Sequence, residues 1–153
     1  MTATPIIEKI RLLAMADATL RGYLYNSVNG TFRWFDTQLQ LGYIMQGTCV
    51  TARQVSTVPM YAQGGRLATD QPRVQIDVRD LDSTKAKKVA AAIDDWLGTV
   101  SFMSDAQFTS PPTTPPNFAC FKLNQRSSED FAVQPIPAWI ETLEYRIFSN
   151  LNN

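Results

Sequence analysis

Apolar and polar positions alternate strictly between residues 73 and 79. Val74, Ile76 and Val78 fall on one side of this segment, and polar residues fall on the other side. This period of two is typical of a strand with one buried face. The segment therefore predicts a strand that packs its apolar side against another layer.

The spacing of the apolar residues becomes helical after residue 82. Asp82, Ser83 and Thr84 can accept hydrogen bonds from the free N–H groups at a helix start. Gly98 is a residue at which the helix is expected to end. One apolar stripe runs along the segment through Ala86, Val89, Ala90, Ile93 and Leu97. The strand and this helix are expected to pack against each other through their apolar sides.

The remaining segments are less regular. Thr4 and Pro5 favour a helix start, and an amphipathic stripe that includes Asp17 predicts a first helix reaching Met15 or Leu20. Further strands are expected at 31–35, 48–55, 119–123 and 139–148, with Pro59 beside a bend or an edge. Residues 26–30, 68–72 and 124–130 are expected to be turns or polar connections, and 36–47 has no clear pattern.

These elements predict an α+β fold. We expect a mainly antiparallel sheet of about four strands packed against two helices, with extended loops, in one domain of residues 1–153. Proline pairs at 111–112 and 115–116 predict a Pro-rich loop at about 104–118, because proline fits neither a helix interior nor a central strand.

Composition removes several classes of function. The chain has no histidine, which is the commonest general base and metal ligand. Lysine plus arginine and aspartate plus glutamate number 14 each, so no net field attracts DNA or an anionic membrane. Cys49 and Cys120 are expected to be free apolar residues in strands. The N-terminal segment lacks the features of a signal peptide and favours a cytoplasmic location.

The search for catalytic chemistry gives no constellation. No phosphate-binding loop, paired-cysteine motif or activated nucleophile is present, and Asp94 and Asp95 are expected to lie on a solvated helix face. Lys85, Lys87 and Lys88 cluster at a helix start, where the helix dipole disfavours them. Two interpretations of this cluster stay open: surface solubility, or contact with an acidic partner. We expect no enzymatic activity, no cofactor and no metal site.

The order of the segments resembles that of a known family. An amphipathic first helix is followed by TARQVSTVPMYAQGG at 51–65 and PRVQIDVRD at 72–80. An alanine-rich helix ending in WL and a final LEYRIF strand at 143–148 complete the pattern. This pattern resembles the tail-completion proteins (head-to-tail joining proteins, or tail terminators) of long-tailed bacteriophages, over roughly residues 6–148. The Pro-rich loop departs from it.

The resemblance implies a structural protein of the virion. Such a subunit forms a ring, usually a hexamer, at the neck, where it ends tail-tube growth and meets the head connector. The implied partners are other copies of the chain, the tail-tube protein and connector proteins. No membrane or sequence-specific nucleic acid is implied, although DNA can pass through the ring. The implied location is the virion tail, and the host cytoplasm during assembly.

The polar sides of the strand and helix are the candidate subunit-contact surface. This set consists of Arg73, Gln75, Asp77, Arg79, Lys85, Lys88 and Asp95. Two other functions stay open. One is a small ferredoxin-like ligand-binding or regulatory domain, and the other is a hydrolase that uses Asp or Ser without histidine.

Overall fold

The computed structural model describes residues 6–36, 47–100, 118–130 and 138–150. Within these ranges the helices are α1 (Ile6–Ala16), α2 (Ala18–Leu24) and α3 (Ser83–Val100). The strands are β1 (Tyr25–Asn26), β2 (Thr31–Phe32), β3 (Trp34–Asp36), β4 (Cys49–Ala62), β5 (Gly65–Asp80), β6 (Phe118–Asp130) and β7 (Ala138–Asn150).

Five of the strands form one sheet in the order β3-β4-β5-β7-β6. β4 and β5 form a long antiparallel hairpin, and β7 pairs antiparallel with both β5 and β6. β3 is parallel to β4 and covers only its start, opposite Val50, Thr51 and Ala52. β1 and β2 form a separate small hairpin. The predicted α+β fold is confirmed, and the structure adds a fifth strand to the sheet and a third helix.

One face of the sheet packs against the helices. Val74, Ile76 and Val78 of β5 are at most 1% exposed, as their alternation predicts. The core cluster also takes in apolar residues of α1, α2, α3, β4 and β7. The stripe of α3 is confirmed in full, since Ala86, Val89, Ala90, Ile93 and Leu97 are all buried. The opposite face of the sheet is not packed against any described helix.

The helix boundaries differ from the prediction in two places. The first amphipathic segment is two helices, because Asp17 leaves the helical conformation (φ −78°, ψ 124°) and accepts a hydrogen bond from the Leu20 N–H at 3.0 Å. An N-cap therefore lies where the stripe predicted a helix interior. Gly98 does not end α3, which continues to Val100. Thr4 and Pro5 lie outside the described residues.

The strands are longer than predicted. β4 runs through Pro59 with register shifts beside it and at residues 54–56. Residues 68–72, predicted as an approach to a strand, belong to β5, and residues 124–130, predicted as a turn, belong to β6. The turn predicted at 26–30 is confirmed between β1 and β2, where Gly30 has a φ of 70°. Residues 37–46 and 101–117, with the proline pairs, lie outside the described residues.

Hydrogen bonds cap the start of α3 and join its second half to the sheet. At its start the Asp82 carboxylate accepts a hydrogen bond from the Thr84 N–H at 2.9 Å, as expected of a cap. Further along, Asp94 accepts from the Tyr145 hydroxyl at 2.7 Å and from Lys122 Nζ at 3.1 Å. Asp94, which was predicted on a solvated helix face, is 35% exposed and is also bonded to two strands, whereas Asp95 is exposed. No described helix is both long enough and apolar enough to cross a membrane.

Candidate functional site

The helix-free face of the sheet is rich in arginine. Alternation and register place five arginines there, on four neighbouring strands, with two carboxylates. The arginines are Arg53, Arg73, Arg79, Arg126 and Arg146, and the carboxylates are Asp77 and Glu144. We call this set the arginine face. Three of the seven predicted contact residues, Arg73, Asp77 and Arg79, belong to it, and a fourth, Gln75, lies on the same face of β5.

Asp77 is the centre of a hydrogen-bond network on the arginine face. Thr142 Oγ1 donates to Asp77 Oδ1 at 2.8 Å, and Gln75 Nε2 contacts both carboxylate oxygens at 3.1 Å. Arg79 lies 3.6 Å from Asp77 and donates to Thr51 Oγ1 at 2.7 Å. Gln75 and Asp77 are only 7% and 8% exposed. These two predicted contact residues thus bond to neighbouring strands and offer little free surface.

A second network joins three strands around Glu144. Arg73 of β5 and Arg126 of β6 contact its carboxylate at 3.2 and 3.3 Å. Both arginine side chains are about half exposed, at 41% and 52%. Exposed ion pairs contribute little stability, so this part of the face can exchange partners at low cost. Arg73 is therefore the predicted strand residue that offers most to a partner.

The predicted helix residues lie on the other side of the sheet. Lys85, Lys88 and Asp95 are exposed on α3, whose opposite side contacts the sheet. Neither Lys85 nor Asp95 forms an ion pair with a described residue, and Lys88 Nζ lies 5.9 Å from the centre of the Tyr23 ring. The structure therefore separates the seven predicted residues into two surfaces instead of bringing them together.

Lys85 and Lys88 line a cavity of about 340 Å³ between α2, α3 and the start of β4. Arg33 contributes a third cation, although it is only 6% exposed. Its Nε donates to the Thr48 carbonyl at 2.8 Å, and its Nη2 donates to the Tyr23 carbonyl at 2.8 Å. Arg33 makes no ion pair with any residue of the described ranges. Its charge is therefore buried against neutral carbonyl groups.

Gly47 has no side chain and therefore leaves room for the Arg33 guanidinium. Its φ is 141°, a conformation that residues with a side chain rarely adopt. A Cβ at this position would lie 2.9 Å from Arg33 Nη2. Both the backbone conformation and the close approach therefore require glycine at residue 47.

Asp80 is the one carboxylate among the residues that line the cavity. Its Oδ2 accepts from the Thr48 hydroxyl at 2.5 Å, and its Oδ1 accepts from the Asp82 N–H at 2.8 Å. Both oxygens accept hydrogen bonds, so Asp80 fixes the start of α3, and its single negative charge offsets only part of the charge of the three cations. The lining therefore keeps an excess of positive charge, with three cations against one anion.

Exposed apolar side chains lie on β6 and on the part of β4 that β3 does not cover. On β6, Phe121 and Leu123 are 53% and 42% exposed, and on β4, Val55 is 51% exposed. Val55 and Leu123 each stand at a register shift of their strand. In the described structure no strand pairs with the outer side of β6, and β3 covers β4 only as far as Ala52. Open edges of this kind are templates for pairing with another chain.

Catalytic and metal-binding features are not apparent in the described ranges. These ranges hold no group of three acidic or cysteine side chains that could bind a metal ion. Neither cysteine is in a disulfide bond, and burial raises the pKa of the Cys49 thiol to about 12. The thiolate that nucleophilic chemistry requires is therefore scarce at Cys49 near neutral pH.

Sequence patterns did not reveal Arg33, Gly47 or the exposed edge of β6. Arg33 falls in the weakly alternating 31–35 segment, and its partners are 10 and 15 residues away. The one available signal was an arginine placed between the apolar residues Phe32 and Trp34, which are both buried.

Comparison with known proteins was made at the levels of sequence and structure. No protein-family model matches the chain, and no curated protein matches its sequence. Its structure is similar to a chain of the virion of a native gene transfer agent particle. The match has a TM-score of 0.57 at 16% sequence identity and covers 95% of each chain. The likeness is one of fold.

Proposed function

We propose that the protein is a structural subunit of a phage-like virion that forms a ring at the neck. The ring ends the tail tube and joins it to the head connector, with DNA passing through its centre. The observation that carries this proposal is the fold likeness to a chain of a gene transfer agent virion over 95% of both chains.

The two edges of the sheet support a head-to-tail contact between subunits. A ring requires two different surfaces on each subunit, because each copy must meet one neighbour on each side. The outer side of β6 and the part of β4 beyond Ala52 are two such surfaces, at opposite ends of the strand order. Exposed apolar side chains on both edges would lose contact with water when neighbours meet.

Assembly measurements test the proposed function. Sedimentation over a range of protein concentrations, with and without purified tail tubes, is expected to show a discrete oligomer whose formation tail tubes favour. The oligomer is expected to bind the end of a tube, as seen by electron microscopy. A chain that stays monomeric in both conditions and never binds tail tubes would contradict the proposal.

A further inference from the structure

Arg33 has no ion-pair partner among the described residues, and Asp80 is the one carboxylate in a cavity lining that holds three cations. Burying a charged group is costly unless an opposite charge compensates it. Arg33 is 6% exposed, and both of its hydrogen-bond partners are neutral backbone carbonyls. An anion in the adjoining cavity would provide the missing compensation.

The first turns of α3 add to the positive field of the same cavity. Lys85 and Lys88 are three residues apart, so they lie on one side of the helix and repel each other. They also stand near the positive end of the helix dipole, which disfavours cations and favours anions. An anion between the lysines and Arg33 would attract the lysines and would interact favourably with the helix dipole. Its binding would therefore offset both unfavourable interactions.

The shape of the cavity favours a protruding side chain as the anion. Arg33 lies at the inner wall, and Lys85 and Lys88 lie on the exposed surface of α3. A DNA duplex is a convex cylinder whose phosphates cannot reach a recessed guanidinium, whereas a glutamate or aspartate side chain can. A carboxylate also matches the planar donor geometry of a guanidinium.

We propose that this cavity receives a carboxylate side chain from an acidic segment of a partner protein. Arg33 contacts the carboxylate from inside, and Lys85 and Lys88 contact it from the rim. Gly47 keeps the approach to Arg33 open. The site goes beyond the proposed ring, and it would bind carboxylates even if the chain formed no ring. Failure of one proposal therefore leaves the other testable.

NMR titration of the folded protein tests the proposal. The probes are acetate and a short glutamate-containing peptide, and the matching glutamine peptide and sodium chloride of equal ionic strength serve as controls. We expect saturable shifts at the Arg33 Nε–H and at the Gly47 and Thr48 amides with the two carboxylate probes only. Absence of saturable shifts at these positions with both carboxylate probes would overturn the proposal.

Matched variants locate the binding site. We expect Lys85→Ala combined with Lys88→Ala to weaken peptide binding at least about fivefold. Lys87→Ala is the control, because Lys87 is also exposed on α3 but lies over the Trp139 ring, outside the cavity lining. An equal loss in the Lys87 variant would overturn the proposal. Tighter binding of inorganic phosphate or of a short DNA duplex than of the peptide would also overturn it, in favour of a phosphate site.

Discussion

Glu141 is a buried carboxylate that stays ionised because its neighbours donate hydrogen bonds. It is 2% exposed and accepts from Ser127 Oγ at 2.6 Å, Trp139 Nε1 at 2.8 Å and Gln125 Nε2 at 3.4 Å. Burial alone would raise its pKa, but these hydrogen bonds and the charge of Lys87 outweigh burial, and the net effect lowers the pKa. The ionised form therefore stabilises the fold.

The stabilisation by Glu141 is expected to depend on pH. Because the folded pKa is below the ordinary value of 4.5, the contribution is present above pH 4.5 and is lost as pH falls through the folded pKa. We expect Glu141→Gln to lower the free energy of unfolding by about 1–2 kcal/mol near pH 7. Urea unfolding near neutral pH and at about pH 3 measures the difference, which should shrink in acid.

Glu129→Gln is the control for this prediction, since Glu129 lies on the same hairpin and is exposed. Its effect should be small at both pH values. A Glu141→Gln effect of the same size in acid and at neutral pH would contradict the assigned pKa direction.

Cys49 is expected to be chemically inert in the folded protein. It is 0% exposed, and burial is the main reason that its pKa rises to about 12. Since alkylating reagents react with the thiolate, iodoacetamide should leave Cys49 unmodified near pH 8 in the native protein and modify it in urea. Mass spectrometry of the peptides measures the alkylation of Cys49 in the native protein and in urea. Rapid native alkylation of Cys49 would contradict its burial.

At the scale of elements, strands and helices with a regular apolar period were predicted well from the sequence. The strand at the edge of the sheet, β6, was not. The β5–α3 unit has one buried and one polar side throughout, so its periods of 2 and 3.6 stand out in the sequence. The second half of β6 is polar on both sides because residues 121–129 are all exposed at the edge of the sheet. Such a strand has no buried face to impose alternation, and its polar residues suggested a turn.

The cavity could not be predicted from the sequence, for a different reason. It is lined by residues of α2 and α3, by the segments just before β3 and β4, and by Asp80 at the end of β5. Only tertiary packing brings these segments together. The sequence did indicate the unfavourable lysine cluster at the start of α3. It could not show that Arg33 lies behind that cluster.

α3 is expected to be essential for the fold through Ile93. This side chain is 0% exposed, so Ile93→Asp would place a carboxylate in the core without a partner. We expect a loss of more than about 4 kcal/mol in the free energy of unfolding, enough to unfold the subunit. Circular dichroism with thermal melting measures it. Ala91→Asp makes the same change on the exposed side of α3 and should remain folded.

At the scale of the whole molecule, the two sheet edges are expected to control assembly. We expect Val55→Lys or Leu123→Lys to weaken oligomer formation without unfolding the subunit, because each adds a charge to an exposed apolar position at an uncovered edge of the sheet. Val28→Lys is the control, since Val28 is 94% exposed in the turn between β1 and β2. Sedimentation measures oligomer formation by all three variants. Unchanged assembly of both edge variants would contradict the edge-to-edge contact.

The structure is similar to a chain of a gene transfer agent virion, with a TM-score of 0.57 over 95% of each chain at 16% identity. This likeness is one of fold, because few residues are shared. The pattern of buried positions specifies the layers, whereas contacts between subunits depend on exposed residues that follow no period.

The most direct test of the central claim is electron microscopy of particles made without this protein. A stop codon early in its gene removes the subunit during assembly. We expect separate heads and unattached tails of irregular length, with both defects corrected when the protein is supplied in trans. Normal particles with attached tails of uniform length would contradict it.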